Sequence, residues 1–66
     1  MENINEEVNE VLLRSIIKLA QEDLNKLNKE QANYLLSCRH YTFESTGSSV
    51  EYCFTLRQWR NIDALR

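Results

Sequence analysis

Apolar residues recur at steps of three and four along the first part of the chain, from residue 4 to residue 27. This spacing places them on one face of an α-helix, and no Gly or Pro interrupts the segment. The stripe consists of Ile4, Val8, Val11, Leu12, Ile16, Leu19 and Leu27. Leu13, Ile17, Ala20 and Leu24 lie beside it, which widens the apolar arc to about 240°, against the 100° or so that one core-facing surface needs. We therefore predict one long helix over residues 4–27 that is covered on two sides.

A second helix is predicted to begin after Asn28. The Asn28 side chain can accept a hydrogen bond from the first helical turn, while Gln31 reaches back to the backbone of Asn28. This helix would run from residue 29 to about residue 37. The alternative is that the first helix continues unbroken to Leu36, because Asn inside a helix costs only a fraction of a kcal/mol.

Segments 39–44 and 49–56 are rich in aromatic and β-branched residues, which favours strands. They flank residues 45–48, which include the only glycine of the chain, Gly47, where a positive φ costs least. Pairing Glu44 with Ser49 sorts aromatic side chains onto one face and polar side chains onto the other. The pairs on the aromatic face are then Phe43 with Val50, Tyr41 with Tyr52, and Arg39 with Phe54. The sequence therefore predicts an antiparallel β-hairpin over residues 39–56.

Residues 55–66 are predicted to form a short closing helix. Thr55 is a suitable cap with Gln58 three residues later, and the residues at 56, 59, 62 and 65 form an apolar stripe. The alternative is that the second strand extends into this region. Together these elements predict a single α+β domain over residues 1–66, with a long N-terminal helix, a short second helix, an antiparallel hairpin and a short C-terminal helix.

The composition narrows the class of protein. The chain has 66 residues, of which 42% are hydrophobic and 27% charged, with one Gly and no Pro, which excludes a disordered acidic tail or a low-complexity linker. No run of 18 apolar residues is present to span a membrane, and the acidic beginning of the chain does not fit a secretory signal. Two cysteines do not make a disulfide framework, so we expect a reducing, cytoplasmic location.

Charge is distributed unevenly along the chain. Seven acids against four bases give residues 1–33 a net charge of −3, whereas three acids against four bases give residues 34–66 a net charge of +1. The acids of the first ten residues complement a helix dipole and would steer the protein toward a basic partner; they are Glu2, Glu6, Glu7 and Glu10. The candidates for an alternative, nucleic-acid-binding role are Arg39, Arg57, Arg60 and Arg66. A weakly acidic chain is, however, not typical of nonspecific DNA binding.

Cys38, His40 and Cys53 are the only constellation in the sequence that resembles a chemical site. Structural zinc usually takes four ligands, and a Cys–His dyad needs an orienting group and a pocket. These three residues are one ligand short of a structural zinc site, and a small hairpin forms almost no pocket for a dyad. We therefore predict no catalytic residue, no metal and no cofactor, and expect these side chains to cover the outer face of the sheet.

The wide apolar arc of the first helix is the strongest functional signal. Either the rest of the chain covers it entirely, or it is held for another chain. A domain of this size buries only about 60% of the surface of its unfolded chain, so a second chain would complete its core. We predict a non-enzymatic regulator or inhibitor that binds a larger protein. A candidate for this partner is a basic nucleic-acid-binding protein. We also predict that the regulator forms a homodimer across a twofold axis. The predicted partner-binding residues are Val8, Leu12, Leu13, Ile16, Ile17 and Leu24. The alternative function is a small DNA- or RNA-binding regulator.

In size and charge the chain resembles the small acidic α+β proteins with which phages and mobile elements occupy host enzymes. This resemblance implies an inhibitor that acts on a host protein, and it assigns no role to any residue. No nucleotide-binding loop, HExxH motif or zinc-finger spacing occurs in the sequence.

Overall fold

Three α-helices and two short 3₁₀ turns form the structure, a computed structural model that describes residues 8–66. The helices are α1 (Glu10–Glu22), α2 (Lys29–Ser37) and α3 (Leu56–Leu65). The 3₁₀ turns are Leu24–Lys26 and Val50–Cys53. Within residues 8–66 no strand forms, so the predicted α+β fold is wrong and this part of the chain is all-helical.

Helix α1 is shorter than the predicted helix over residues 4–27. It begins after Asn9, whose side-chain oxygen accepts hydrogen bonds of 3.1 Å from the backbone N–H groups of Val11 and Leu12. It ends at Glu22 because Asp23 adopts an extended backbone and accepts a hydrogen bond from Asn25 N–H at 3.0 Å, which starts the first 3₁₀ turn. The prediction is thus wrong for residues 8–9 and 23–27, and residues 4–7 lie outside the described part of the chain.

The starts of α2 and α3 both carry a capping box. Gln31 N–H donates to Asn28 Oδ1 at 2.7 Å, and Asn28 N–H donates to Gln31 Oε1 at 3.0 Å. Gln58 N–H donates to Thr55 Oγ1 at 3.1 Å, and Thr55 N–H donates to Gln58 Oε1 at 2.8 Å. These contacts confirm the predicted break at Asn28 and the predicted closing helix after Thr55.

The predicted hairpin over residues 39–56 does not form. The described residues contain one isolated antiparallel bridge, between Thr42 and Ser49, in a register two residues away from the predicted pairing of Glu44 with Ser49. The turn between them does use a positive φ of 70° at Gly47, as predicted. A two-stranded hairpin is marginal in water, so a single bridge is all that the pairing contributes here.

Beyond Ser49 the chain turns instead of extending. In a strand Val50, Tyr52 and Phe54 would share one face, but the 3₁₀ turn buries Val50 and Phe54 and leaves Tyr52 85% exposed. The Ser49 side chain accepts a hydrogen bond from Glu51 N–H at 3.4 Å, which supports the turn. The turn puts two apolar side chains against the helices, and this explains why the alternating pattern does not give a strand.

Helix α2 lies between the other two helices and contacts both, while α3 also packs on the first 3₁₀ turn. The buried apolar side chains of the described residues form one core; they are Leu13, Ile16, Ile17, Ala20, Leu27, Ala32, Leu35, Cys38, Phe43, Val50, Phe54, Trp59 and Ile62. None of the helices in residues 8–66 has the length and apolar character needed to cross a membrane.

Candidate functional site

Three of the six predicted partner-binding residues are core residues of the folded chain. Leu13, Ile16 and Ile17 are at most 7% exposed. They belong to the same core as buried residues of α2 and of the 38–55 connection, and α1 contacts α2. The rest of the chain covers this face, so the folded monomer does not present these side chains to a partner.

The other three predicted residues lie at the edge of that core. Val8 and Leu24 are partly buried against it. Leu12 is 47% exposed and follows Val11, which is 75% exposed. Of the predicted apolar surface of α1, Val11 and Leu12 remain exposed to solvent.

Glu10 is the one predicted steering acid that the structure describes, and its carboxylate is engaged within the chain. The Tyr41 hydroxyl donates to Glu10 Oε2 at 2.5 Å, and Arg14 Nη2 lies 3.6 Å from the other carboxylate oxygen. The hydrogen bond from Tyr41 lowers the pKa of Glu10, and the same bond raises the pKa of Tyr41 to about 12. The other three predicted acids lie outside the described residues; they are Glu2, Glu6 and Glu7.

Cys38, His40 and Cys53 are not assembled into a chemical site. Cys38 is buried at the end of α2 and Cys53 is partly buried, and burial raises the pKa of both thiols. His40 is exposed, with Nδ1 3.1 Å from Glu51 Oε1. Nowhere in residues 8–66 do three His, Cys, Asp or Glu side chains meet in an arrangement that could hold a metal ion.

The four arginines of the alternative function do not form one continuous strip. Arg57 and Arg60 are exposed on α3, while Arg66 Nε lies 2.8 Å from Asp63 Oδ1. Arg39 follows α2 and is only partly exposed. The charge of Arg66 is therefore compensated by the Asp63 carboxylate, and the Arg39 side chain is partly withdrawn from solvent.

The Arg39 guanidinium lies over a core residue, Trp59. Its guanidinium carbon lies 4.8 Å from the centre of the Trp59 ring, and its Nη2 is 3.9 Å from Glu51 Oε2, which is too long for a hydrogen bond. The indole N–H of Trp59 donates to the backbone oxygen of Glu51 at 2.9 Å, which fixes the ring below the guanidinium. Arg39 Nε is buried and has no hydrogen-bond partner within residues 8–66.

Two shallow grooves, of about 280 Å³ and 210 Å³, meet at this stacked pair. Arg39, Leu56 and Trp59 line both of them; the larger groove also reaches Arg60, and the smaller also reaches Tyr52. Tyr52 and Leu56 are exposed large apolar side chains, Leu56 to 63%. We call the surface formed by these five residues the Arg39 surface.

A third groove, of about 510 Å³, runs between the end of α1, the first 3₁₀ turn and α3. Amide side chains contribute much of its lining, among them Gln21, Gln58 and Asn61. Asp23 also lines it, but its carboxylate already caps the 3₁₀ turn. Among the described residues, no thiol, histidine or cationic side chain lines this groove, so this part of the chain gives it neither a common nucleophile nor an anion-binding group.

Sequence reasoning missed the Arg39 surface. It paired Arg39 with Phe54, whereas the structure places Arg39 over Trp59. It also put Leu56 in one apolar stripe with Trp59, although Trp59 is buried and Leu56 is 63% exposed. The available signal was the enrichment of aromatic residues and arginine between residues 52 and 60, a composition typical of interfaces. No protein family matches the chain, and no curated protein or solved structure is significantly similar to it, so its own geometry is what bears on its function.

Proposed function

We propose that this protein binds another, larger protein without catalysing a reaction, and that the partner docks on the Arg39 surface. The observation that supports this proposal is that Tyr52 and Leu56 stand exposed beside an arginine stacked on a buried tryptophan. Binding energy at interfaces concentrates on Tyr, Trp and Arg, in patches where apolar and cationic groups adjoin. Such a protein acts as a small regulator or inhibitor of its partner, within the cytosol.

A docking site is indicated by Tyr52 and Leu56 lying together beside Arg39, more than by the exposure of either side chain alone. Single exposed apolar residues are ordinary on protein surfaces and need no explanation. On the Arg39 surface two of them adjoin two grooves and a guanidinium, whereas Val11 and Leu12 on α1 line none of the three grooves described above. The proposal therefore moves the docking surface away from α1.

The homodimer predicted from the sequence remains a prediction. A twofold contact across α1 would use Val11 and Leu12, because the adjacent Leu13, Ile16 and Ile17 are buried. In the experiment below, a second copy bound through α1 would be lost in Val11→Ser and retained by Tyr52→Ala/Leu56→Ser, which is the reverse of the result expected for the Arg39 surface.

The test is affinity capture from a lysate of the source organism, carried out with and without nuclease and at a salt concentration that weakens phosphate contacts. The bait is the full chain, compared with the double variant Tyr52→Ala/Leu56→Ser. Val11→Ser is the matched control, because it removes an equally exposed apolar side chain elsewhere. We expect one dominant protein to be retained by the wild type and the control, and its affinity to fall at least about tenfold in the double variant.

Two results would contradict the proposal. If the double variant retains the partner as well as the control does, the Arg39 surface is not the docking site. If nuclease abolishes retention, the exposed Arg57 and Arg60 become the functional residues, and the nucleic-acid alternative replaces protein binding. Each substituted side chain is exposed, so we expect all three proteins to fold. Circular dichroism of each protein checks this.

A further inference from the structure

Two arginines adjoin two exposed apolar side chains on the Arg39 surface. The whole chain has a net charge of −2, and Arg39 and Arg60 line the two grooves, while Arg66 is paired with Asp63 beside them. Within residues 8–66, the carboxylates that line the grooves are those of Glu51 and Asp63. The N-terminal end of α3, which begins at Leu56, adds a partial positive charge.

Neither Glu51 nor Asp63 forms a hydrogen bond with an arginine that lines the grooves. Asp63 lies 2.8 Å from Arg66, which is not among the lining residues. Glu51 lies 3.1 Å from His40 and remains 3.9 Å from Arg39, beyond hydrogen-bonding distance. Arginine forks match carboxylates in geometry and form charge-assisted hydrogen bonds with them. The grooves therefore offer guanidinium donors to an anionic group from outside.

The dimensions of the grooves indicate what kind of ligand fits. At about 280 Å³ and 210 Å³ each is smaller than the roughly 300–1,000 Å³ of a typical small-molecule pocket. Each is open, and an exposed apolar side chain, Leu56 or Tyr52, lies on its margin. Such grooves suit individual side chains of a polypeptide laid across the surface.

We propose, on the basis of the function proposed above, that the partner presents an acidic peptide segment in which Asp or Glu lies within four residues of a large apolar side chain. The carboxylate pairs with Arg60 and the outer edge of Arg39, and the apolar side chain packs on Leu56 and Tyr52. Charge complementarity selects the acidic residue, and the two exposed apolar side chains select its neighbour.

The same surface is less suited to nucleic acid. Strands of nucleic acid are bound by stacking successive bases on open aromatic rings, but Trp59 is buried under Arg39, which leaves Tyr52 as the one open ring of this surface. Leu56 adds an apolar contact that a phosphate backbone does not use. These two features favour a peptide over a single strand, although both ligands are anionic.

The test is selection from a displayed library of random twelve-residue peptides on the immobilised full chain. We expect the enriched peptides to carry Asp or Glu within four residues of Leu, Phe or Trp. A synthetic peptide from that set should bind Arg60→Glu at least about tenfold more weakly than the wild type. Lys18→Glu is the matched control, since it makes the same change of charge at an exposed site outside the grooves and should leave the affinity unchanged.

Three results would overturn this proposal. The first is enrichment of neutral or basic peptides, or of none. The second is an equal loss of affinity in Arg60→Glu and Lys18→Glu, which would indicate a general effect of charge. The third is a single-stranded oligonucleotide that binds in an Arg60-dependent way while acidic peptides do not. If, by contrast, the captured partner still requires Tyr52 and Leu56 but uses a neutral or basic segment, protein binding stands and only its acidic character is refuted.

Discussion

Apolar side chains of α1 differ in exposure although they belong to one predicted arc. Ile17 is 7% exposed, whereas Val11, six residues earlier, is 75% exposed. Periodicity records the angle of each residue around the helix axis, and it does not show which sides of the helix the rest of the chain covers. The members of the arc could therefore be predicted from the sequence, but their division into core and surface could not.

This difference can be tested by placing the same charge at both positions. Ile17→Glu buries an unpaired carboxylate, which costs several kcal/mol, comparable with the roughly 3–5 kcal/mol that a core of this size supplies. We expect that variant to lose its cooperative thermal transition in circular dichroism. Val11→Glu should stay within about 0.5 kcal/mol of the wild type. A folded Ile17→Glu protein would show that this side chain is not part of the core.

At the scale of elements, helix ends were predictable and strand pairing was not. The capping boxes at Asn28 and Thr55 each involve residues three positions apart, so the signal is local and complete in the sequence. A strand needs a partner, and alternation in residues 50–54 is equally compatible with a turn that buries Val50 and Phe54. The packing of the helices against this segment, which no local pattern encodes, selected the turn.

Removing the cap of α2 should weaken the whole fold by a predictable amount. Asn28→Ala removes the acceptor for Gln31 N–H and should cost about 1 kcal/mol, or about 4–8 °C in thermal midpoint for a domain of this size. Asn28→Asp, which keeps an acceptor, should restore most of the loss. Asn33→Ala, at an exposed position inside α2, is the control and should not lower the midpoint. Equal midpoints for Asn28→Ala and Asn33→Ala would refute the role of the cap.

At the scale of the whole molecule, contacts between distant segments fix the 38–55 connection to the helices. Tyr41 and Glu10 are 31 residues apart in sequence and join the connection to the first turn of α1. Arg39 and Trp59, 20 residues apart, join its other side to α3. Neither pair has a sequence signature, which is why sequence reasoning found the arginine but not the surface around it.

The Tyr41–Glu10 contact should make stability depend on pH at both extremes. The pKa of Glu10 is lowered from 4.5, so its stabilisation is fully present above that pH and is lost as the pH falls through the folded-state value. The pKa of Tyr41 is raised from 10.0 to about 12, so its stabilisation is present below pH 10 and is lost as the pH rises toward 12. Urea unfolding of the wild type and Tyr41→Phe should differ most near neutrality and converge toward both extremes. Parallel curves across the whole range would contradict this contact.

Trp59 is the only tryptophan of the chain, and it lies in the core directly beneath Arg39. Its fluorescence therefore reports two events with one chromophore. Unfolding exposes the indole to water and shifts its emission, and a ligand that draws Arg39 away from the ring changes its quenching. Intrinsic emission can thus follow binding without an added label. For the same reason, a substitution of Trp59 removes the reporter, the guanidinium support and a part of the core in one step.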